Sequence, residues 1–176
     1  TSGSVTIGSG AGTSGTADIS GNGTTWSTGS MTVGNGTLTV SSGAKVTSTS
    51  TNAVAFITGS ANVTGSGSQW DIVGNSVGGS QNVMNIGGLT GLTVSDGGKV
   101  TIKDSATTPN GRFMRVNISS AAGSTNSLTV TGANSSVTTP HDIGAASTAG
   151  STANITASNG GALNTGYTIL GYNGTG

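Results

Sequence analysis

The sequence predicts an all-β fold, a stack of parallel β-coils that forms a β-solenoid of about six coils. Three observations predict it. A short unit of the form apolar-Thr-apolar recurs along the chain, two corner motifs alternate, and the composition disfavours helix.

The recurring unit occurs as Val5-Thr6-Ile7, Met31-Thr32-Val33, Leu38-Thr39-Val40, Leu92-Thr93-Val94, Val100-Thr101-Ile102 and Leu128-Thr129-Val130. Period-two alternation turns both apolar residues to one face and Thr to the other. Val, Ile and Thr suit a pleated surface because they branch at Cβ. Each unit therefore reads as a short strand with a thin inward stripe.

The corner motifs lie between such strands. One is V-[ST]-G-x-[GN]-S-x-[WV], loosely matched by ISGNGTTW (19–26), VTGSGSQW (63–70) and VTGANSSV (130–137). The other is V-S-x-G-[GA]-x-V, seen in VSSGAKV (40–46), VSDGGKV (94–100) and the weaker ASNGGAL (157–163). They alternate strictly, and successive corners begin roughly 21 to 36 residues apart, a fitting length for one solenoid coil. At about 4.8 Å per coil the stack is on the order of 30 Å long. Gly at the corners supplies left-handed backbone without steric cost, and Asn22, Asn35, Asn134 and Asn159 are expected to share that duty. Another corner varies in length, as the spacings Val33 to Leu38, Ile86 to Leu92, Ile118 to Leu128 and Ile143 to Ile155 show. Insertions there leave the stack intact, and binding surfaces favour such loops.

Composition agrees. Gly supplies 33 of 176 residues, 31% are apolar and 3% are aromatic. Gly, Ser, Thr, Asn and Val form helix poorly. The apolar residues are regularly spaced, which separates this chain from a Gly/Ser linker. There is no Cys, so repetitive strand stacking, not disulfides, must hold the chain. The chain opens and closes inside strand-like pattern. Residues 1–176 are therefore expected to be one solenoid segment, a fragment that continues beyond both ends.

Charge narrows the partners. Only 6% of residues are charged and the formal net charge is +0. Nucleic-acid binding needs a basic stripe, and electrostatic membrane contact needs clustered Lys and Arg. No run reaches the length of a membrane helix. Neither nucleic acid nor direct membrane insertion of this segment is expected.

Chemistry-bearing residues are sparse. His141, between Pro140 and Asp142, is the single imidazole, and no G-x-S-x-G elbow accompanies it. With no Cys and one His, zinc is disfavoured. The five Asp are dispersed, and the Gly-rich calcium repeat is absent. No catalytic residue, metal or cofactor is assigned. Charge concentrates in one region, 99–115, where the candidate ligand or partner contacts are Lys99, Lys103, Asp104, Arg112, Phe113 and Arg115. That stretch also carries Asn110-Gly111-Arg112, which reads first as a turn. Trp26 and Trp70 fill one slot of the first corner motif and Val137 fills it in the third copy. That substitution favours an aromatic stack inside the solenoid over a sugar-binding platform.

The stretches SGNGTTWSTGSMTVGNGTLTVSSGAKV (20–46), VTGSGSQW (63–70) and LTVSDGGKV (92–100) resemble the passenger repeats of bacterial autotransporters, the type V secreted proteins. The resemblance implies a right-handed parallel β-helix on the surface of, or secreted from, a Gram-negative bacterium. It also implies a C-terminal translocator barrel in the parent chain. The expected role is that of a non-enzymatic adhesin or stalk in host attachment, autoaggregation or biofilm formation. Its partner would be a host surface or matrix protein, or another copy on a neighbouring cell. Two rivals stand beside it. A carbohydrate-active β-helix, a lyase, hydrolase or tailspike segment, requires Asp residues such as Asp96 and Asp104 to converge in one groove. An ice-binding solenoid is suggested by Thr37-Leu38-Thr39 and Thr129-Val130-Thr131, but requires a regular Thr ladder and constant coils.

Overall fold

A computed structural model describes residues 3–10, 12–50, 54–74, 81–88, 90–104, 114–118, 122–140, 142–146 and 148–171. The chain winds through three strands per coil. Coil 1 holds β1 (Val5–Ile7), β2 (Thr16–Ser20) and β3 (Thr25–Thr28), and coil 2 holds β4 (Met31–Val33), β5 (Thr37–Ser41) and β6 (Lys45–Ser50). Coil 3 holds β7 (Ala55–Ile57), β8 (Ser60–Thr64) and β9 (Gln69–Gly74), and coil 4 holds β10 (Gln81–Ile86), β11 (Gly91–Ser95) and β12 (Lys99–Asp104). Coil 5 holds β13 (Met114–Ile118), β14 (Thr125–Thr131) and β15 (Ser136–Thr138). Coil 6 holds β16 (Asp142–Ala145), β17 (Thr152–Ser158) and β18 (Ala162–Asn164), and β19 (Thr168–Leu170) begins a seventh turn.

Every third strand pairs, always in parallel. The result is three sheets, β1-β4-β7-β10-β13-β16-β19, β2-β5-β8-β11-β14-β17 and β3-β6-β9-β12-β15-β18. They are called here the first, second and third sheets. This is a parallel β-helix, with the expected six coils. Parallel pairing follows from the winding, since each coil returns to its starting face in the same direction.

The inward stripes stack residue on residue. In the first sheet Ile7, Val33, Ile57, Ile86, Ile118 and Ala145 form one row. In the second sheet Leu38, Ala61, Leu92 and Leu128 form a row beside Val40, Val63, Val94 and Val130. All of these side chains are buried in one continuous core. The apolar-Thr-apolar units supply much of it, and their Thr residues stand on the outer faces. The β10–β13 pair carries a register shift between Asn82 and Met84, while the rest of both ladders stays in step.

The tryptophan slot is a third-sheet row, Trp26, Val46, Trp70, Val100, Val137 and Leu163. Trp70 is 0% exposed, so it belongs to the core as expected. The aromatic stack does not form. Val46 stands between the two indoles, about two coil spacings or 10 Å apart, beyond aromatic pairing distance. Large and small residues alternate here instead, which lets a full indole fit a narrow stack. The buried indole Nε1 donates to Ser48 Oγ at 3.0 Å, and Thr28 Oγ1 donates to the same oxygen at 3.3 Å. Ser48 occupies an inward position that coil 3 gives to Ile72 and coil 4 to Ile102. A polar residue is tolerated there because the indole needs a partner.

All six corner motifs form one and the same corner, joining the second sheet to the third. The longer motif serves coils 1, 3 and 5; the shorter serves coils 2, 4 and 6. Each closes with the same turn bond, for example Ser68 N–H to Gly65 O at 3.1 Å and Gly98 N–H to Ser95 O at 2.8 Å. In the short corners two successive residues are left-handed, Ser42-Gly43, Asp96-Gly97 and Asn159-Gly160, with φ between 50° and 87°. Asn134 and Asn159 are left-handed as expected; Asn22 and Asn35 are not among the left-handed residues, and Ser42 and Asp96 take that conformation instead. Long corners cap short ones. Ser68 Oγ accepts from Gly43 N–H at 3.0 Å, and Ser135 Oγ accepts from Gly97 N–H at 2.9 Å, both hydroxyls lying on buried residues. The short corners place Ala44, Gly98 and Gly161 where the long ones place Ser68 and Ser135. At Gly98 a Cβ would lie 2.3 Å from Val63 O, and at Gly161 2.4 Å from Val130 O.

Two predictions follow from this packing. Gly98→Ala forces backbone apart and is expected to lower stability by about 1–3 kcal/mol, read as a lower urea midpoint. An unchanged midpoint would show that the close approach is not a constraint. Ser48→Ala strands the Trp70 N–H and is expected to cost about 1–3 kcal/mol. With Phe at position 70 the same Ser48→Ala change should cost markedly less, and equal costs in both backgrounds would disprove the coupling.

Candidate functional site

The outer surfaces, not the core, carry the polar chemistry. On the second sheet the outward positions form three columns, Thr16 to Asn154, Asp18 to Thr156 and Ser20 to Ser158. Every position is Ser or Thr except Asp18, Asn62, Gly91 and Asn154. Part of the third column bonds to itself: Ser95 Oγ donates to Thr64 Oγ1 at 2.9 Å and Ser158 Oγ to Thr131 Oγ1 at 3.0 Å. The unequal coil lengths do not disturb this sheet, because the corners absorb them. The Thr ladder is broken by residue type, and that break weighs against ice binding.

Two connections vary in length. The one from first to second sheet runs from residues 58–59 in coil 3 to 8–15 in coil 1, and it is the variable corner read from the sequence. The one from third to first sheet varies as well, from 29–30 in coil 1 to 105–113 in coil 4. The charged region belongs to this second connection and to the strands beside it.

Lys99, Lys103 and Asp104 lie in β12 on the third sheet, and Arg115 lies in β13 on the first. Arg112 and Phe113, with Asn110-Gly111, fall outside the described residues, as does His141. The region is therefore two strands on different sheets with residues 105–113 between them, not one continuous corner. The structure gives Lys103 a partner: its Nζ lies 3.1 Å from Asp71 Oδ2, with the side chains 50% and 22% exposed. Gln69 Nε2 donates to the other oxygen of Asp71 at 2.8 Å. Lys99 is separated from this pair along β12 and sits in a different row, Lys45, Gln69 and Lys99, one residue per coil.

That row borders a cavity of about 470 Å³ running along the glycine corner, lined also by Asn22, Ser66, Gly67 and Asn134. Lys45 was missed by reading the sequence for clusters along the chain. The signal was present in the motif itself, since Lys45 and Lys99 fill the same slot of VSSGAKV and VSDGGKV. A second cavity of about 310 Å³ lies at the corner between first and second sheets, lined by Asn35, Thr37, Thr58 and Thr90 among others.

The acidic residues are spread out. Asp96 Oδ2 accepts from Thr64 Oγ1 and Ser95 Oγ, both at 3.1 Å, on the second-sheet side of the corner. Asp104 closes β12 at its other end. About 17 Å of extended backbone lies between Lys99 and Asp104, so the chain places Asp96 and Asp104 beyond opposite ends of that span, whereas the carboxyl groups that flank a glycosidic bond are about 5–10 Å apart. Among the described residues no group of three or more His, Cys, Asp or Glu is placed to hold a metal ion. Among the same residues no helix is long and apolar enough to cross a membrane.

Comparison with known proteins returns no matching family model, no matching curated protein and no matching solved structure.

The Lys103–Asp71 pair is half in solvent, and such pairs contribute little. Lys103→Ala is expected to lower stability by at most about 1 kcal/mol, with a smaller loss at high salt. A loss of several kcal/mol that salt leaves unchanged would mean the pair anchors the third sheet.

Proposed function

We propose that the chain is a non-enzymatic passenger-type segment of a bacterial surface protein, a stiff rod that acts as stalk and adhesive surface. The reading places it on the surface of, or secreted from, a Gram-negative cell, in attachment, autoaggregation or biofilm formation. The observation that carries it is the division of labour in the fold. Three parallel sheets stack in step through six coils, while two connections change length freely outside the stack. In-step stacking supports rigidity, because every coil is bonded to its neighbours along all three faces. Free variation at the connections supports contact with a partner, because sequence can change there without disturbing the core. The repeat motifs quoted above, which resemble autotransporter passengers, support the same reading. The partner proposed is a protein of an opposing surface or a second copy of the chain.

The experiment displays the chain on cells through an outer-membrane anchor and measures attachment under shear. Residues 105–113 are replaced by a short Gly-Asn turn, sparing β12 and β13. A wider replacement of 103–117 would remove most of β13 from the first sheet and confuse misfolding with lost contact. Circular dichroism and protease resistance are expected to be unchanged, and attachment to fall several-fold. Full attachment by a folded variant would overturn the assignment of contact to this connection.

A further inference from the structure

The groove along the glycine corner differs from the second cavity in carrying basic side chains. Two of the chain's three lysines border it, and no carboxylate is among its lining residues. Two acids close to it in the fold already have partners: Asp71 bonds Lys103 and the groove's own Gln69, and Asp96 accepts from hydroxyls of the second sheet. Lys45 and Lys99 are exposed and stand in one row with Gln69 between them. Two coil spacings set their backbones about 10 Å apart. The groove continues from Asn22 in coil 1 to Asn134 in coil 5, about 20 Å along the stack. Its remaining lining is amide, hydroxyl and glycine backbone.

We infer that this groove binds a strand of acidic polysaccharide, carboxylated or sulfated. The length suits several sugar units in extended form. The two ammonium groups suit anionic substituents recurring along one chain, and Asn22, Ser66, Gln69 and Asn134 offer donors and acceptors to sugar hydroxyls. Nucleic acid is the weaker fit. Two lysines neutralise too few phosphates, and no aromatic ring lines the groove as a stacking platform for bases. The site belongs to the regular corner and not to residues 105–113, so it stands whether or not the chain is an adhesin.

The test measures binding of the chain to polygalacturonate, dextran sulfate, neutral dextran and poly(dT) by titration at low and physiological salt. Binding to at least one acidic glycan, weakened by salt, is expected, and the carboxylated and sulfated probes distinguish the two sources of charge. The K45Q/K99Q variant should lose about ten-fold in affinity, the combined effect of two exposed charge contacts. K45R/K99R should keep most of it, and circular dichroism should show both variants folded. The inference is overturned if neither acidic glycan binds, if neutral dextran or poly(dT) binds equally well, or if K45Q/K99Q binds as the parent does.

Discussion

One constraint governs the molecule: each coil must hand its backbone hydrogen bonds to the coils above and below in constant register. A parallel ladder fixes the spacing between coils and the face to which each side chain turns. A slip of one residue would turn a coil's whole inward stripe to solvent. Like therefore stacks on like, isoleucine over isoleucine in the first sheet and valine over valine in the second. Where the stack is too narrow for repetition, size alternates, as in the row Trp26, Val46, Trp70 and Val100. Stability is then a property of neighbouring pairs of coils, and a single large residue is accommodated by its two neighbours alone.

The same constraint sorts the three corners. The corner between second and third sheets turns tightly against its neighbours, close enough that Gly98 and Gly161 have no room for a Cβ. Its backbone donors need partners, and Ser68 and Ser135 supply them to the coil before. Such a corner varies by a single residue, between the short and the long form. The other two corners lie at the ends of first-sheet strands, where the chain can leave the stack and return at a small cost in loop entropy. Variation is concentrated there for that reason, and the outer face of the second sheet keeps its order despite coils of unequal length.

Much of this was legible in the sequence. Apolar-Thr-apolar units marked strands in all three sheets, because alternation alone decides which side chain turns inward. The glycine motifs marked every turn from second to third sheet, because left-handed backbone restricts residue type. The Trp26 and Trp70 slot was legible as core, because Val137 fills it. Contacts between coils were not. Nothing in local pattern joins Lys103 to Asp71 or the Trp70 indole to Ser48, since those neighbours are set by coil length. For the same reason the charged stretch 99–115 looked like one surface, although β12 and β13 face different ways. The left-handed Ser42 and Asp96 were hidden as well, because glycine and asparagine nearby account for the turn by propensity alone.

The alternation of long and short corners joins structure to surface chemistry. A short corner needs a hydroxyl from the following coil, and a long corner provides it, so the coils are matched in pairs. The structural repeat is therefore two coils, about 10 Å. Lys45 and Lys99 occupy equivalent places in consecutive short corners, so their separation is that same repeat. The third short corner offers the same place at Ala162, whereas Thr25, Gln69 and Ser136 fill it in the long corners. The spacing of charge along the groove is thus inherited from the way buried backbone donors are satisfied. Any ligand that reads this edge meets a period fixed by the core, while the unequal connections on the other corners leave it untouched.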